Sequence, residues 1–336
     1  MDAEAGSGTG AAPARAAFLF GVPRSGTTLL LRLLDGHPDL LVLPRETHAA
    51  DWHGARDPVA AFRARRREDG PLFADSGRSE ALDAWVAARL RGPADIGSAL
   101  RAVVEGFARL LPAPPGARAW VEKTPKHLYR VPALRRAFGE GTRFLCLLRD
   151  PRAVAASQFT RWKRGGARHV RTFAARWAAA DVVTRRFEAA MPGFRVLRYE
   201  DLLADPEGAM RGVAAHLGVP WHPSLLLPTD RGVPWAGNAS SRLALPRVAL
   251  EPERGTRDLS PREAALVERL LAPRMRARGY EPRDPAAGGP SAARAWIEAV
   301  ARFRVLREVE SLPPAPRPVS AAGAGPARPG VRLPAG

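Results

Sequence analysis

Short apolar runs alternate along the chain with stretches of helical periodicity. AAFLFGV at 16–22 has the length and flanks of a buried strand. It runs into PRSGTT and then LLLRLLDG, where Leu29, Leu30, Leu33 and Leu34 recur at helical spacing and Asp35-Gly36 supplies a stop. Residues 44–118 read as mixed, with helical patches at 80–90 and 99–111 between turn-rich pieces. ARAWVEKTP is a strand ending in a loop, and HLYRVPALRRAFG a helix broken at Pro132. TRFLCLL at 142–148 is a second buried strand. Asp150 and Pro151 then open a helix as N-cap and first position. A long helix over 170–190 leads to FRVLRYEDLLADP, again strand then loop, and Ser260, Pro261 and Glu263 form a capping box for a helix over 260–280. After a Pro/Gly linker at 281–290, a helix over 291–311 puts Trp296, Val300, Phe303 and Leu306 on one face.

This alternation predicts an α/β fold: a P-loop-like central parallel sheet flanked by helices, in a single main domain. Ligands in such folds sit at the carboxyl ends of the strands, so the four strand ends named above are where chemistry is expected. The expected organisation is a disordered tail at 1–16, a main domain over 17–282, a linker and C-terminal helix over 283–312, and a disordered Pro/Ala/Gly-rich tail over 313–336.

Composition narrows the class. Of 336 residues 46% are hydrophobic, enough for a sizeable core, and 31 Gly with 33 Pro predict many turns. Cys146 is the only cysteine, which excludes an internal disulfide and a cysteine-based zinc site. No stretch approaches the ~20 apolar residues of a membrane span, and the N-terminus lacks a secretion signal, so a cytoplasmic location is expected. The net charge of +18 invites a nucleic-acid reading. The basic residues are scattered, however, RARRR at 63–67 being the one dense run, and no aromatic stacking pattern accompanies them. Only Lys123, Lys126 and Lys163 among the 52 basic residues are lysines. An anionic small molecule explains part of the charge more economically than nucleic acid.

Gly21 and Gly26 in GVPRSGTT have P-loop spacing, but Thr27 stands where a P-loop carries lysine. The glycines allow a tight turn, inward N–H groups and the helix N-terminus attract an anion, and Ser25, Thr27 and Thr28 add hydroxyls. Arg24 offers a fork of donors to one anionic group, so the loop suits a single phosphate or sulfate better than a triphosphate. Arg149 and Ser157, eight residues apart around an Asp-Pro turn, can converge on a second anion. Asp150 reads as a helix cap, with a Walker-B carboxylate as the alternative.

GVPRSGTTLLLRLLDGHPDL, EKTPKHL, LLRDPRAVAAS and LRYEDLLADP, in that order, resemble the sulfotransferase family that uses 3′-phosphoadenosine 5′-phosphosulfate (PAPS), and most nearly its bacterial branch akin to tyrosylprotein sulfotransferases. The resemblance runs from about residue 17 to 282 and is dense only in these blocks. It implies that Pro23, Arg24, Ser25, Gly26, Thr27 and Thr28 hold the 5′-phosphosulfate, with Arg149 and Ser157 on the 3′-phosphate and Tyr199 beside the adenine. Arg254 and Arg257 are both candidates for a late basic loop at the 3′-phosphate. Lys123 resembles the lysine that stabilises the sulfuryl group in transit, and Ser240 or Ser241 a serine that assists it. Glu46, the only carboxylate between Asp39 and Asp51, corresponds to the catalytic base, with His48 as the fallback. No metal is expected: sulfuryl transfer has no β,γ-bridge to chelate, and Glu46, His48, Asp51 and His53 lack ligand spacing.

The implied function is transfer of a sulfuryl group from PAPS to an acceptor hydroxyl. Peptide tyrosine, sugar and small natural product stay open as acceptors. The rivals are a P-loop kinase or NTPase, and a non-catalytic polyanion-binding protein. The C-terminal helix is expected to dock on the main domain; a homodimer contact through it stays open.

Overall fold

The computed structural model describes residues 12–69, 76–111, 114, 116–235, 237, 259–287, 289 and 291–309. Five parallel strands form its main sheet: β1 (Arg15–Gly21), β2 (Leu40–Val42), β3 (Ala119–Lys123), β4 (Arg143–Leu148) and β5 (Phe194–Arg198), in the order β2-β3-β1-β4-β5. The chain leaves β1 in one direction and later crosses back over it to reach β4. That reversal makes the carboxyl ends of β1, β3 and β4 the expected crevice.

Strand alternation divides the apolar residues between two layers. Ala16, Phe18 and Phe20 of β1, with Trp120, Phe144 and Cys146, face the larger core. Ala17 and Leu19, with Val121, Leu145 and Leu147, face the smaller one. Phe18, Phe20, Phe144 and Phe194 stack as a ladder across the larger layer, neighbouring rings lying 5.8–6.4 Å apart. The buried leucines of α1 (Thr27–Asp35) and the apolar face of α10 (Pro206–Leu217) cover the other side.

Between β2 and β3 run α2 (Ala49–Trp52), α3 (Pro58–Asp69), α4 (Ser76–Arg89) and α5 (Ile96–Leu110). After β3 come a 3₁₀ turn (Pro125–Arg130) and α6 (Val131–Phe138). The break therefore falls just ahead of Pro132, which takes an early helical position where a missing N–H costs nothing. α7 (Pro151–Trp162) follows β4 with Asp150 as its cap, and α8 (Ala167–Ala190) returns to β5. RYEDLLA, read as a loop from sequence, is a short helix, α9 (Tyr199–Ala204). α11 (Pro261–Arg276) starts on the expected capping box of Ser260 and Glu263.

α12 (Ala292–Glu308) does dock on α8, but only Val300 of the stripe read from sequence is seen to share in it, and the Leu306 side chain lies outside the described residues. Ile297, Ala301 and Val305 are buried, whereas Trp296 and Phe303 are 51% and 59% exposed. α8 carries a run of buried alanines, a shallow surface that takes small and β-branched side chains closely and leaves large rings outside. The Arg274–Glu298 pair, at 2.9 Å from Nε to Oε1, fixes that rotation. No helix among the described residues is long and apolar enough to cross a membrane.

Candidate active site

The turn after β1 closes with the Ser25 N–H donating to the Val22 carbonyl at 3.0 Å. Arg24 and Gly26 both take left-handed backbone, φ 78° and 96°, so the loop curls back on itself. For Arg24 that conformation costs energy and marks a functional bend. Gly26 is required twice over, since a Cβ there would meet the Tyr199 ring at 2.4 Å. α1 begins with neither a side-chain cap nor an acidic residue in its first turn, leaving its positive end uncompensated.

Across the loop, Arg24 Nε donates to Ser157 Oγ at 3.0 Å, and Arg149 Nη1 donates to the Arg24 carbonyl at 3.3 Å. The Arg149 guanidinium also lies 4.4 Å from the Tyr199 ring centroid. Burial, and then the like charges of Arg161 and Arg149, push Arg24 below its ordinary arginine value. Such a cluster calls for a bound anion. Asp150 takes no part in it: it caps α7 through the Arg152 N–H at 2.8 Å and pairs with Arg152, which bridges to Glu268 at 2.8 Å. The cap reading of Asp150 therefore holds and the Walker-B alternative does not.

The facing wall is a chain of charged and polar side chains. Lys123, at the end of β3, donates to Glu46. Glu46 Oε2 lies 3.2 Å from His48 Nε2, whose other nitrogen is 3.8 Å from Asp51. Asp51 in turn pairs with the exposed Lys126 at 3.0 Å. Behind this chain sits Glu122, fully buried. Burial opposes its charge, while hydrogen bonds from His127 and from the Thr124 and Thr47 hydroxyls favour it.

Both walls share one cleft of about 830 Å³. Pro23, Arg24, Gly26, Thr27, Thr28, Glu46, Lys123, Arg149, Ser157 and Tyr199 all line it. Ser25 does not; its side chain is buried beneath the loop at 1% exposure. Ser240, Ser241, Arg254 and Arg257 lie outside the described residues. A groove of similar volume along α11 gathers none of these side chains. Among the described residues no group of His, Cys, Asp and Glu is arranged to hold a metal ion. Sequence reasoning missed Arg161, which joins the cation cluster, and the Glu122–His127 pair. A carboxylate inside the apolar run WVEK was the available signal, because an unpaired buried glutamate is rare.

Comparison with known proteins adds an independent line. The model of the sulfotransferase family matches residues 16–223. Nodulation protein NoeE of Sinorhizobium fredii is 31% identical over 221 residues, covering 60% of this chain and 49% of its own, so the chain spans about half the length of that curated relative. Among solved structures, the sulfotransferase domain of the Synechococcus olefin synthase aligns at 20% identity and a TM-score of 0.49, covering 87% of this chain and 95% of that one. Sulfotransferase STF9 from Mycobacterium avium aligns at 18% identity and a TM-score of 0.40, covering 63% and 65%.

Proposed function

The chain belongs to the sulfotransferase family, and from that premise we propose that it moves a sulfuryl group from PAPS to an acceptor hydroxyl. One observation carries the reading. Glu46 and Lys123, 77 positions apart, meet at the carboxyl end of the sheet in the same cleft as the Arg24 loop. Base, cation and anion cradle thus face one volume, as an in-line transfer requires.

The cradle fits the donor. In this reading Arg24 and the start of α1 take its 5′ end, Arg149 and Ser157 its 3′-phosphate, and Tyr199 its adenine. Ser240 or Ser241, and Arg254 or Arg257, are assigned on sequence resemblance alone. As the acceptor oxygen bonds to sulfur, its proton passes to Glu46, and the bond from sulfur to the bridging phosphate oxygen breaks. General-base help of this kind is worth ~10²–10⁴-fold. The Lys123 ammonium has three donors, so it can keep one on Glu46 while others meet the transferring oxygens. In this reading Glu46 is the base and His48, 3.2 Å from its second oxygen, orients it, with His48 as the fallback base. No metal enters this scheme. The acceptor class stays open among peptide tyrosine, sugar and small natural product. A cytoplasmic location and the lack of a nucleic-acid partner belong to the same reading and rest on the lone buried Cys146 and the scattered arginines.

A thermal-shift titration with 3′-phosphoadenosine 5′-phosphate against ATP, each with Mg²⁺ and with EDTA, tests it. A ligand at ~100 times its dissociation constant adds about 2.7 kcal/mol of apparent stability. Stabilisation by the bisphosphate regardless of EDTA is the expected result. Stabilisation by Mg-ATP alone would make this a kinase-like enzyme. Salt-sensitive binding to heparin with no response to the bisphosphate would make it a polyanion binder.

A further inference from the structure

The end of β3 does more than supply Lys123. Glu122 Oε1 accepts from the Thr47 N–H at 3.2 Å, the Thr47 hydroxyl at 2.8 Å and the Thr124 hydroxyl at 2.5 Å. Its Oε2 lies 2.9 Å from His127 Nδ1. His127 is as deeply buried as Glu122, and its Nε2 receives the Ala50 N–H at 3.2 Å. A backbone N–H can only donate, so Nε2 carries the lone pair and Nδ1–H donates to Glu122. Thr124 Oγ1 further accepts the His48 N–H at 3.2 Å. The N–H groups of Thr47, His48 and Ala50 therefore all end on side chains from 122–127. His48 sits between them at φ 50°, a conformation a bulky residue keeps only where its surroundings over-determine it.

We propose that Glu122 is a positioning residue for sulfuryl transfer: through Thr47, Thr124 and His127 it fixes the 46–48 turn so that Glu46 stands against Lys123. The chemistry rests on the function proposed above; the strapping itself does not. Successive side chains leave a strand on opposite faces. Glu122 turns inward to hold the turn while Lys123 faces the cleft, so any slip of the turn against β3 separates the base from the cation directly. The site needs a carboxylate, since several donors converge on a group that has only acceptors. In Glu122→Gln the amide NH₂ must face either His127 Nδ1–H or the Thr47 N–H, so donor meets donor in either orientation. One nearly isosteric change thus loosens the strap whichever way the amide turns.

The test uses the full chain and has two arms. By ¹⁵N NMR the wild-type His127 should show the Nδ1–H tautomer, and in Glu122→Gln the Thr47, His48 and Ala50 amides should exchange at least ~10-fold faster while β1 and β4 amides are unchanged. An Nε2–H tautomer or an imidazolium in the wild type, or unchanged exchange in the variant, overturns the strap. In the second arm, PAPS turnover with water as acceptor is followed by release of the bisphosphate product. Glu122→Gln should fall ~10–100-fold in turnover with its bisphosphate affinity kept within ~2-fold. The double variant Glu46→Gln/Glu122→Gln should match Glu46→Gln within ~2-fold, because a residue acting through Glu46 has nothing left to position. Fully multiplicative losses would reduce Glu122 to a structural role and overturn the proposal. Should Glu122→Gln not fold, Thr124→Val removes the His48 strap together with one hydroxyl on Glu122, leaves the Thr47 and Ala50 contacts in place, and is read the same way. Failure of the wild type to bind the bisphosphate would defeat the proposed function, while the first arm would still judge the strap.

Discussion

The two walls of the cleft balance their charge by opposite means. The Arg24 wall is a strand end running through a left-handed bend into an uncapped helix, joined from more than 120 positions away by Arg149 and Ser157. It gathers Arg24, Arg149 and Arg161, and among the described residues no carboxylate is drawn into their contacts. The Glu46 wall is made of segments more than 70 positions apart, and its charges compensate one another in a line from Lys123 to Lys126. The first wall awaits an anion supplied from outside. The second carries its own counter-ions. Binding and turnover should therefore respond separately to mutation.

The largest separation should come from Glu46→Gln. Turnover is expected to fall ~10²–10⁴-fold while bisphosphate affinity, measured calorimetrically, stays within ~2-fold. Equal losses in both quantities would merge the two walls into one. Arg149→Ala should do the reverse, weakening bisphosphate binding ~10–100-fold, as loss of a charge-assisted contact does, and reducing its salt dependence. Gly26→Ala tests the same wall through shape. It asks Tyr199 to vacate the space of a Cβ at 2.4 Å and imposes φ 96° on alanine, at a cost of about 1–3 kcal/mol visible in denaturant titration.

A smaller effect should appear on acidification. His216 is held at about 4 against an ordinary 6.5, because burial, then the nearby Arg195 and Arg143, outweigh its contact with the Phe144 carbonyl. The unfolded chain therefore takes up a proton that the folded chain refuses, and stability falls as pH drops from about 6.5 toward 4. His216→Asn should flatten that limb of the melting-temperature profile. The smallest effect belongs to Cys146. Burial first of all pushes its thiol up to about 11, so alkylating reagents should leave native turnover unchanged, as mass spectrometry alongside the assay would show.

How much was legible in the sequence follows the same division. AAFLFGV, TRFLCLL and the Asp150 cap could be read because each is a local signal of length, period or turn chemistry, and the structure keeps them. β2 escaped notice because three residues, Leu40–Val42, are too few for a period to show. The α12 stripe was only partly right, with Val300 on the core but Trp296 and Phe303 outside it, since helical spacing alone does not say whether a partner helix offers a groove for rings or a bed of alanine. In the site, the Arg24 loop was legible from its own glycines and hydroxyls. The facing of Glu46 on Lys123 was available only through family resemblance, because no pattern in either segment encodes a meeting 77 positions away. Glu122 was printed in the motif beside Lys123 yet passed over, its partners being spread over 47, 50, 124 and 127.

That strap also shapes how such a protein can diversify. Thr47, Glu122, Thr124 and His127 are bound to one another and to the backbone of 47, 48 and 50, so single replacements among them should be poorly tolerated and viable change should come as paired exchanges. Arg45 and Arg65 line the same cleft without entering that closed set. Substitutions at these outer positions should therefore be tolerated better than substitutions within the quartet.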